Sequence, residues 1–177
     1  MPRILFVVAP QTFRDEEYAH PKQVLDDLGA ETVTASTRPG ICTGKLGMTA
    51  HAEVALSDVG GADYDAVVFV GGGGAQVYFD DPEAHRVSRE ALEAGRVVAA
   101  ICIAPSVLAH AGLLGGIRVT SFPSQKDDLI AHGAEYTGEP LERDGRFITA
   151  NGPDAARDFG HAIATALGLE GAAGVGD

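Results

Sequence analysis

The chain has 177 residues, 45% of them hydrophobic, which suits one domain with a sizeable core and excludes an intrinsically disordered chain. Its 13 Lys and Arg against 25 Asp and Glu leave a net charge of −12, which repels a phosphate backbone and argues against nucleic-acid binding. The 2 cysteines occupy unlike positions and imply no disulfide framework, so both are expected as reduced thiols.

The first apolar run, residues 4–9, is too short for a signal peptide or a membrane span, and charged Arg14-Asp15-Glu16-Glu17 follows it closely. It reads as the first strand of a cytoplasmic protein with no membrane partner. Residues 16–28 form an amphipathic helix closed by Gly29, and residues 31–35 a further strand. Cys42 falls in Arg38-Pro39-Gly40-Ile41-Cys42-Thr43-Gly44, which has the composition of an exposed loop. The apolar strand at 66–70 runs into the glycines 71–74. Asp81 as N-cap and Pro82 in the first turn open a helix over 82–94, which Gly95 closes. Residues 97–103 read as a strand buried on both faces. A helix over 106–111, a strand at 117–121, a short helix at 126–131 and an extended piece at 134–136 come next. Segments 141–144 and 146–150 flank Asp144-Gly145 in the manner of a hairpin. A helix over 154–167 ends the pattern, and the Gly-rich residues 169–177 read as a flexible tail. Strands alternating with helices predict a single α/β domain over residues 1–168, a doubly wound, mostly parallel sheet with helices on both faces.

The segment around Cys102 carries the chemistry. A buried strand runs into the thiol, then Ile103, Ala104 and the helix-starting Pro105, which is the layout of a nucleophile elbow with sulfur in place of oxygen. A helix start at that point favours thiolate over thiol. An apolar-flanked cysteine is equally at home as a core residue, so a second element has to decide. The glycine run supplies it: one N–H from this loop and one from Ile103 could hold charge developing on a carbonyl oxygen. As a phosphate loop the run is poor, because no G-K-[ST] follows. Asp15, Glu16 and Glu17 stand just past the end of the first strand, where open α/β sheets bind ligands. A carboxyl beside the thiol would have its pKa raised and could move a proton. His20 lies one turn beyond Glu17 and is a further pocket candidate, although a surface histidine is the simpler reading. The remaining histidines show no paired metal spacing, and no metal is expected. Tyr18 and Tyr78 read chiefly as packing residues.

Four segments together resemble the DJ-1/PfpI superfamily. They are Ala100-Ile101-Cys102-Ile103-Ala104-Pro105; the glycine run with Ala75-Gln76; Val119-Thr120-Ser121-Phe122-Pro123 with Lys126-Asp127; and Asn151-Gly152-Pro153. The resemblance spans roughly residues 3 to 168. It implies a flavodoxin-like α/β/α sandwich of the class I glutamine amidotransferase type, and a homo-oligomer, either a dimer or a dimer-based hexamer. It also chooses between the glutamates, because the family's functional Glu stands four residues before a helix proline and Glu17 stands so before Pro21. Carried over, Glu17 contacts Cys102, and N–H groups near Gly72, Gly73 and Ile103 form the oxyanion site.

The departures from the family pattern shape the expected activity. Peptidase-like members have a His where this chain has Ile103, and an acid from the neighbouring subunit near Gln76. Some members carry a histidine at Phe122. Gln76 therefore stays as a pocket candidate rather than a catalytic acid. The resemblance is nearest to Cys-Ala-type members and implies a cofactor-independent thiol enzyme of the glyoxalase III or deglycase kind, with a small reactive carbonyl as substrate. The alternatives are a redox or oxidative-stress protein acting through Cys102 oxidation, and an intracellular peptidase or amidase that Ile103 and Gln76 disfavour.

Overall fold

The fold is that of a computed structural model, which describes residues 1–171. Strand β1 (Arg3–Val7) is followed by a short strand β2 (Gln11–Phe13) and by helix α1 (Asp15–Asp27). Strand β3 (Glu31–Ser36) returns beside β1, and β4 (Gly40–Gly44), β5 (Thr49–Ala52) and β6 (Val54–Ala55) follow in quick succession. Strand β7 (Ala66–Phe69), helix α2 (Pro82–Glu93), strand β8 (Val97–Ile101) and helix α3 (Pro105–His110) continue the alternation. Then come β9 (Arg118–Val119), α4 (Lys126–Ala131), β10 (Glu135–Tyr136), the hairpin β11 (Leu141–Asp144) and β12 (Phe147–Ala150), and finally α5 (Ala156–Ala166). Asp81 caps α2 as its sequence predicts, its carboxylate accepting the Glu83 N–H at 3.2 Å.

Seven strands form the central sheet in the order β11-β12-β8-β7-β1-β3-β6, with every neighbouring pair parallel except β11 and β12. The run β3-β1-β7-β8-β12 is the flavodoxin-like strand order, which reverses direction beside β1. The two-residue period of each central strand divides its side chains between two layers. Ile4, Phe6, Val68, Ala99 and Ile148 face α1 and α5, whereas Leu5, Val7, Phe69, Val98 and Ala100 face α2, α3 and α4. Both layers are dry, which is why these strands read as unbroken apolar runs.

The α1–α5 layer depends on one small residue. A Cβ at Gly160 would stand 2.8 Å from Pro21 Cα and 3.2 Å from Val24 Cβ, so the two helices touch backbone to backbone there. Gly160→Ala is expected to destabilise the fold by about 1–3 kcal/mol through overpacking, read as a lowered midpoint in urea. An unchanged midpoint would mean that the helices separate freely.

The structure corrects several expectations. Cys42 is not in an exposed loop: it lies on β4, only 2% exposed, in the small sheet that β2, β4 and β5 make beside the main one. Strand 117–121 shrinks to β9, which pairs only with β10, and the strand read as 97–103 ends at Ile101. Of the segment read as a flexible tail, the part nearest α5 is tied down. The Leu169 N–H donates to Ala164 O at 2.9 Å, and Glu170 meets His161 Nδ1 at 2.7 Å. The rest of that segment, residues 172–177, lies outside the described residues. Among the described residues no helix is long and apolar enough to cross a membrane.

Candidate functional site

Cys102 follows β8 directly and adopts φ +65°, in the left-handed region that a residue with a Cβ enters only under constraint. Two distant parts of the chain and the local turn impose it. The Cys102 N–H donates to Ala150 O at the end of β12 (2.9 Å), the Cys102 carbonyl accepts the Phe122 N–H (2.8 Å), and the Ala104 N–H closes the turn onto Ile101 O (3.1 Å). The elbow thus aims the sulfur away from the sheet and into a cleft at the carboxyl ends of β1, β7 and β8, beside the point where the strand order reverses.

The acidic triplet at the start of α1 divides its labour. The Asp15 carboxylate accepts the N–H groups of Leu46 and Met48 at 3.0 and 2.9 Å, pinning the β4–β5 turn. Glu16 forms a two-point pair with the Arg14 guanidinium at 2.7 and 3.1 Å, which holds its carboxyl down at about 2. Glu17 alone turns inward, 0% exposed, and neither of its carboxyl oxygens completes a hydrogen bond. The Gly71 N–H and the Cys102 thiol face it without reaching a well-formed geometry.

Burial pushes the Glu17 carboxyl up to about 7, against the smaller pull of the thiol and of Arg14. Burial likewise pushes the Cys102 thiol up to about 12; the Glu17 charge adds to the rise, and the nearby N–H groups of Gly72 and Ile103 oppose it. This corrects the expectation of a thiol depressed by a helix start: α3 has only 6 residues, and its opening turn does not outweigh the burial. The two groups behave as one unit that accepts a single negative charge near neutral pH and resists a second.

Gly71 makes the approach possible. A Cβ there would lie 2.5 Å from Cys102 Cβ and 2.7 Å from Ile101 O, and would overlap Glu17 Oε1. Gly71→Ala is therefore expected to spread the thiol and the carboxyl and to lower turnover by about 10²-fold, the usual consequence of displacing a reacting group by an ångström. Circular dichroism should show the fold retained; unchanged turnover would mean that the glycine serves only the turn.

The cleft has a volume of about 430 Å³, and Gly72, Gly73, Ile103 and Gln76 are among the residues that line it. His20 is not among its lining residues, so that candidate is withdrawn: it stands on α1 beyond the turn that Glu17 occupies. No imidazole lines the cleft among the described residues. Tyr18 and Tyr78 are interior, hydrogen-bonded to Thr34 Oγ1 and Val8 O at 2.7 and 2.8 Å. Sequence reasoning missed the rest of the wall, to which Arg14, Lys45, Phe79, Phe122 and Gln125 contribute from four separate segments. Arg14, three residues before Glu17, was the one with a local signal.

Residues 2–166 match the model of the DJ-1/PfpI family. A protein of Methanocaldococcus jannaschii is 38% identical over 168 residues, which cover 93% of this chain and 82% of the relative. A deglycase of Pyrococcus abyssi is 33% identical over 151 residues, covering 85% of this chain and 90% of the relative. Among solved structures, a ThiJ/PfpI domain protein from Brachyspira murdochii superposes with a TM-score of 0.92 at 32% identity, covering 95% of this chain and 97% of that one.

Proposed function

We propose, starting from the fact that this chain belongs to the DJ-1/PfpI family, that it is a cofactor-independent thiol enzyme acting on small 2-oxoaldehydes and their adducts. The observation that carries this reading is the pairing of Cys102, strained into the cleft, with a buried and unpartnered Glu17. With the carboxyl at about 7 and the thiol at about 12, the single charge of the resting pair lies on Glu17, which takes the Cys102 proton as the sulfur attacks.

The proposed reaction uses that division. The Cys102 sulfur adds to the aldehyde carbon, and Glu17 delivers the proton it has taken to the oxygen, giving a hemithioacetal. The Glu17 carboxylate, now unprotonated, removes the hydrogen from the former aldehyde carbon and returns a proton to the adjacent carbon. The product is a 2-hydroxyacyl thioester, which water cleaves to the 2-hydroxy acid and the free thiol. The N–H groups of Gly72 and Ile103 are placed to hold the anionic oxygen of each addition step. Relatives named deglycases favour the same substrate class, since a deglycase and a 2-oxoaldehyde hydratase share the hemithioacetal chemistry. The peptidase alternative finds no imidazole among the described residues that line the cleft, so its base would have to come from a second subunit.

The test is conversion of methylglyoxal to lactate by the purified chain, followed alongside release of lactate from methylglyoxal-modified thiols. Formation of lactate in either assay supports the reading. Absence of lactate from both, with a fluorogenic peptide cleaved instead, would overturn it.

A further inference from the structure

Behind the cleft wall formed by Phe79 and Gln125, α3 and α4 bring together three side chains that no sequence motif joins. His110 ends α3, whereas Asp128 and His132 stand one turn apart at the end of α4. His110 Nε2 lies 3.0 and 2.9 Å from the two Asp128 carboxylate oxygens. His132 Nδ1 lies 3.6 Å from Asp128 Oδ1, and one donor atom from each of the three falls within 4.8 Å of the others. Donor atoms around a zinc-sized ion, each about 2.0–2.1 Å from the metal, are separated by about 3–3.5 Å. The His132 ring stacks on His110 with centroids 4.8 Å apart and its Nδ1 is bonded to the Asp128 carbonyl at 2.8 Å, so the exposed ring must turn out of that bond to close the set.

The surroundings are those of ligands held in place. The second ring nitrogen of His110 is bonded to Asp80 Oδ1 at 2.8 Å, the carboxylate–histidine arrangement that orients a metal-binding imidazole. The Ser106 hydroxyl, which accepts the Gln125 side-chain N–H at 2.8 Å, stands beside Asp128. The Phe79 ring packs 5.7 Å from His110 on its inner side. Two imidazoles and one carboxylate suit a borderline-soft ion, and not magnesium or calcium, which take oxygen ligands.

We propose that His110, Asp128 and His132 form a binding site for a divalent transition-metal ion of the zinc type, with Asp80 orienting His110 from behind. The remaining coordination positions face solvent beside the exposed His132. Such an ion ties α4 to α3, the helix that continues from the Cys102 elbow. This assignment is independent of the reaction proposed above.

The experiment is a titration of the full, tag-free chain with Co²⁺, followed by visible absorption, and its competition by Zn²⁺. The chain carries Cys102→Ser so that the cleft thiol contributes nothing. One equivalent of Co²⁺ displaced by Zn²⁺ is expected. Asp80→Asn is expected to weaken binding about 10-fold, within the range for an outer partner, and His132→Gln and His110→Gln at least about 100-fold. His132 is exposed, so its replacement tests the site even where the His110 variant folds poorly. No binding, or binding that both histidine variants leave unchanged, would overturn the assignment. So would Zn²⁺ leaving the NMR resonances of both rings unmoved, the result expected if His110 merely shares a proton with its two carboxylates.

Discussion

Exchange of Cys102 for serine is expected to lower 2-oxoaldehyde turnover by about 10³-fold or more, with the fold intact. Serine preserves the size of the side chain and can still receive the Gly72 and Ile103 N–H groups, so the elbow has no reason to relax. What it lacks is an ionisation that a neighbouring carboxyl can manage: an unassisted hydroxyl is a weak nucleophile at neutral pH, whereas a thiolate is a strong one. Cys42→Ala should leave turnover within about twofold, because that thiol is buried on β4 and does not line the cleft. Lactate formation under saturating substrate distinguishes the two variants. A serine variant that keeps most of its turnover would remove sulfur from the mechanism altogether.

Glu17→Gln should divide stability from activity. In the unfolded chain the Glu17 proton leaves near 4.5, and in the folded chain it stays with the pair until about 7. Between those values the folded state binds more protons, so the free energy of unfolding falls as pH rises, by about 1.4 kcal/mol per pH unit and about 3 kcal/mol in all. That stability is fully present below 4.5 and absent above about 7. Glutamine has nearly the same shape and never carries the charge, so the variant should be the more stable protein at pH 8, with a melting temperature several degrees higher. At pH 4 the two should converge. The same change removes the proton carrier, and kcat should fall by about 10²–10⁴-fold. Parallel melting curves across pH for both proteins would show that the carboxyl is not held neutral by the fold.

The parts of the fold that could be read in the sequence are those in which burial on both faces writes an uninterrupted apolar run. β1, β7 and β8 announce themselves this way, and their glycine-punctuated helices follow. The β2-β4-β5 sheet was not legible, because its strands are short, rich in Gly and Thr, and buried on one side only. Ile41 is 67% exposed while its neighbour Cys42 is covered. That single-sided pattern over five residues resembles a loop. The site divides along the same line. The elbow is a local event, strand into turn into helix, so Cys102 and its supporting glycines were visible in place. Glu17 was not separable from Glu16 by chemistry alone, since both open the same helix, and the family resemblance made the choice. The cleft walls at Lys45, Phe79 and Gln125, like the His110–Asp128–His132 cluster, arise from elements that meet only after the sheet is assembled.

The elbow is pinned from Phe122 and Ala150, both C-terminal to the thiol that they constrain. A growing polypeptide emerging from the ribosome therefore exposes Cys102 before both segments that strain it are free to dock. Until β12 has docked, that sulfur is an ordinary peptide thiol, and a truncation ending before residue 150 should react with carbonyls no faster than free cysteine.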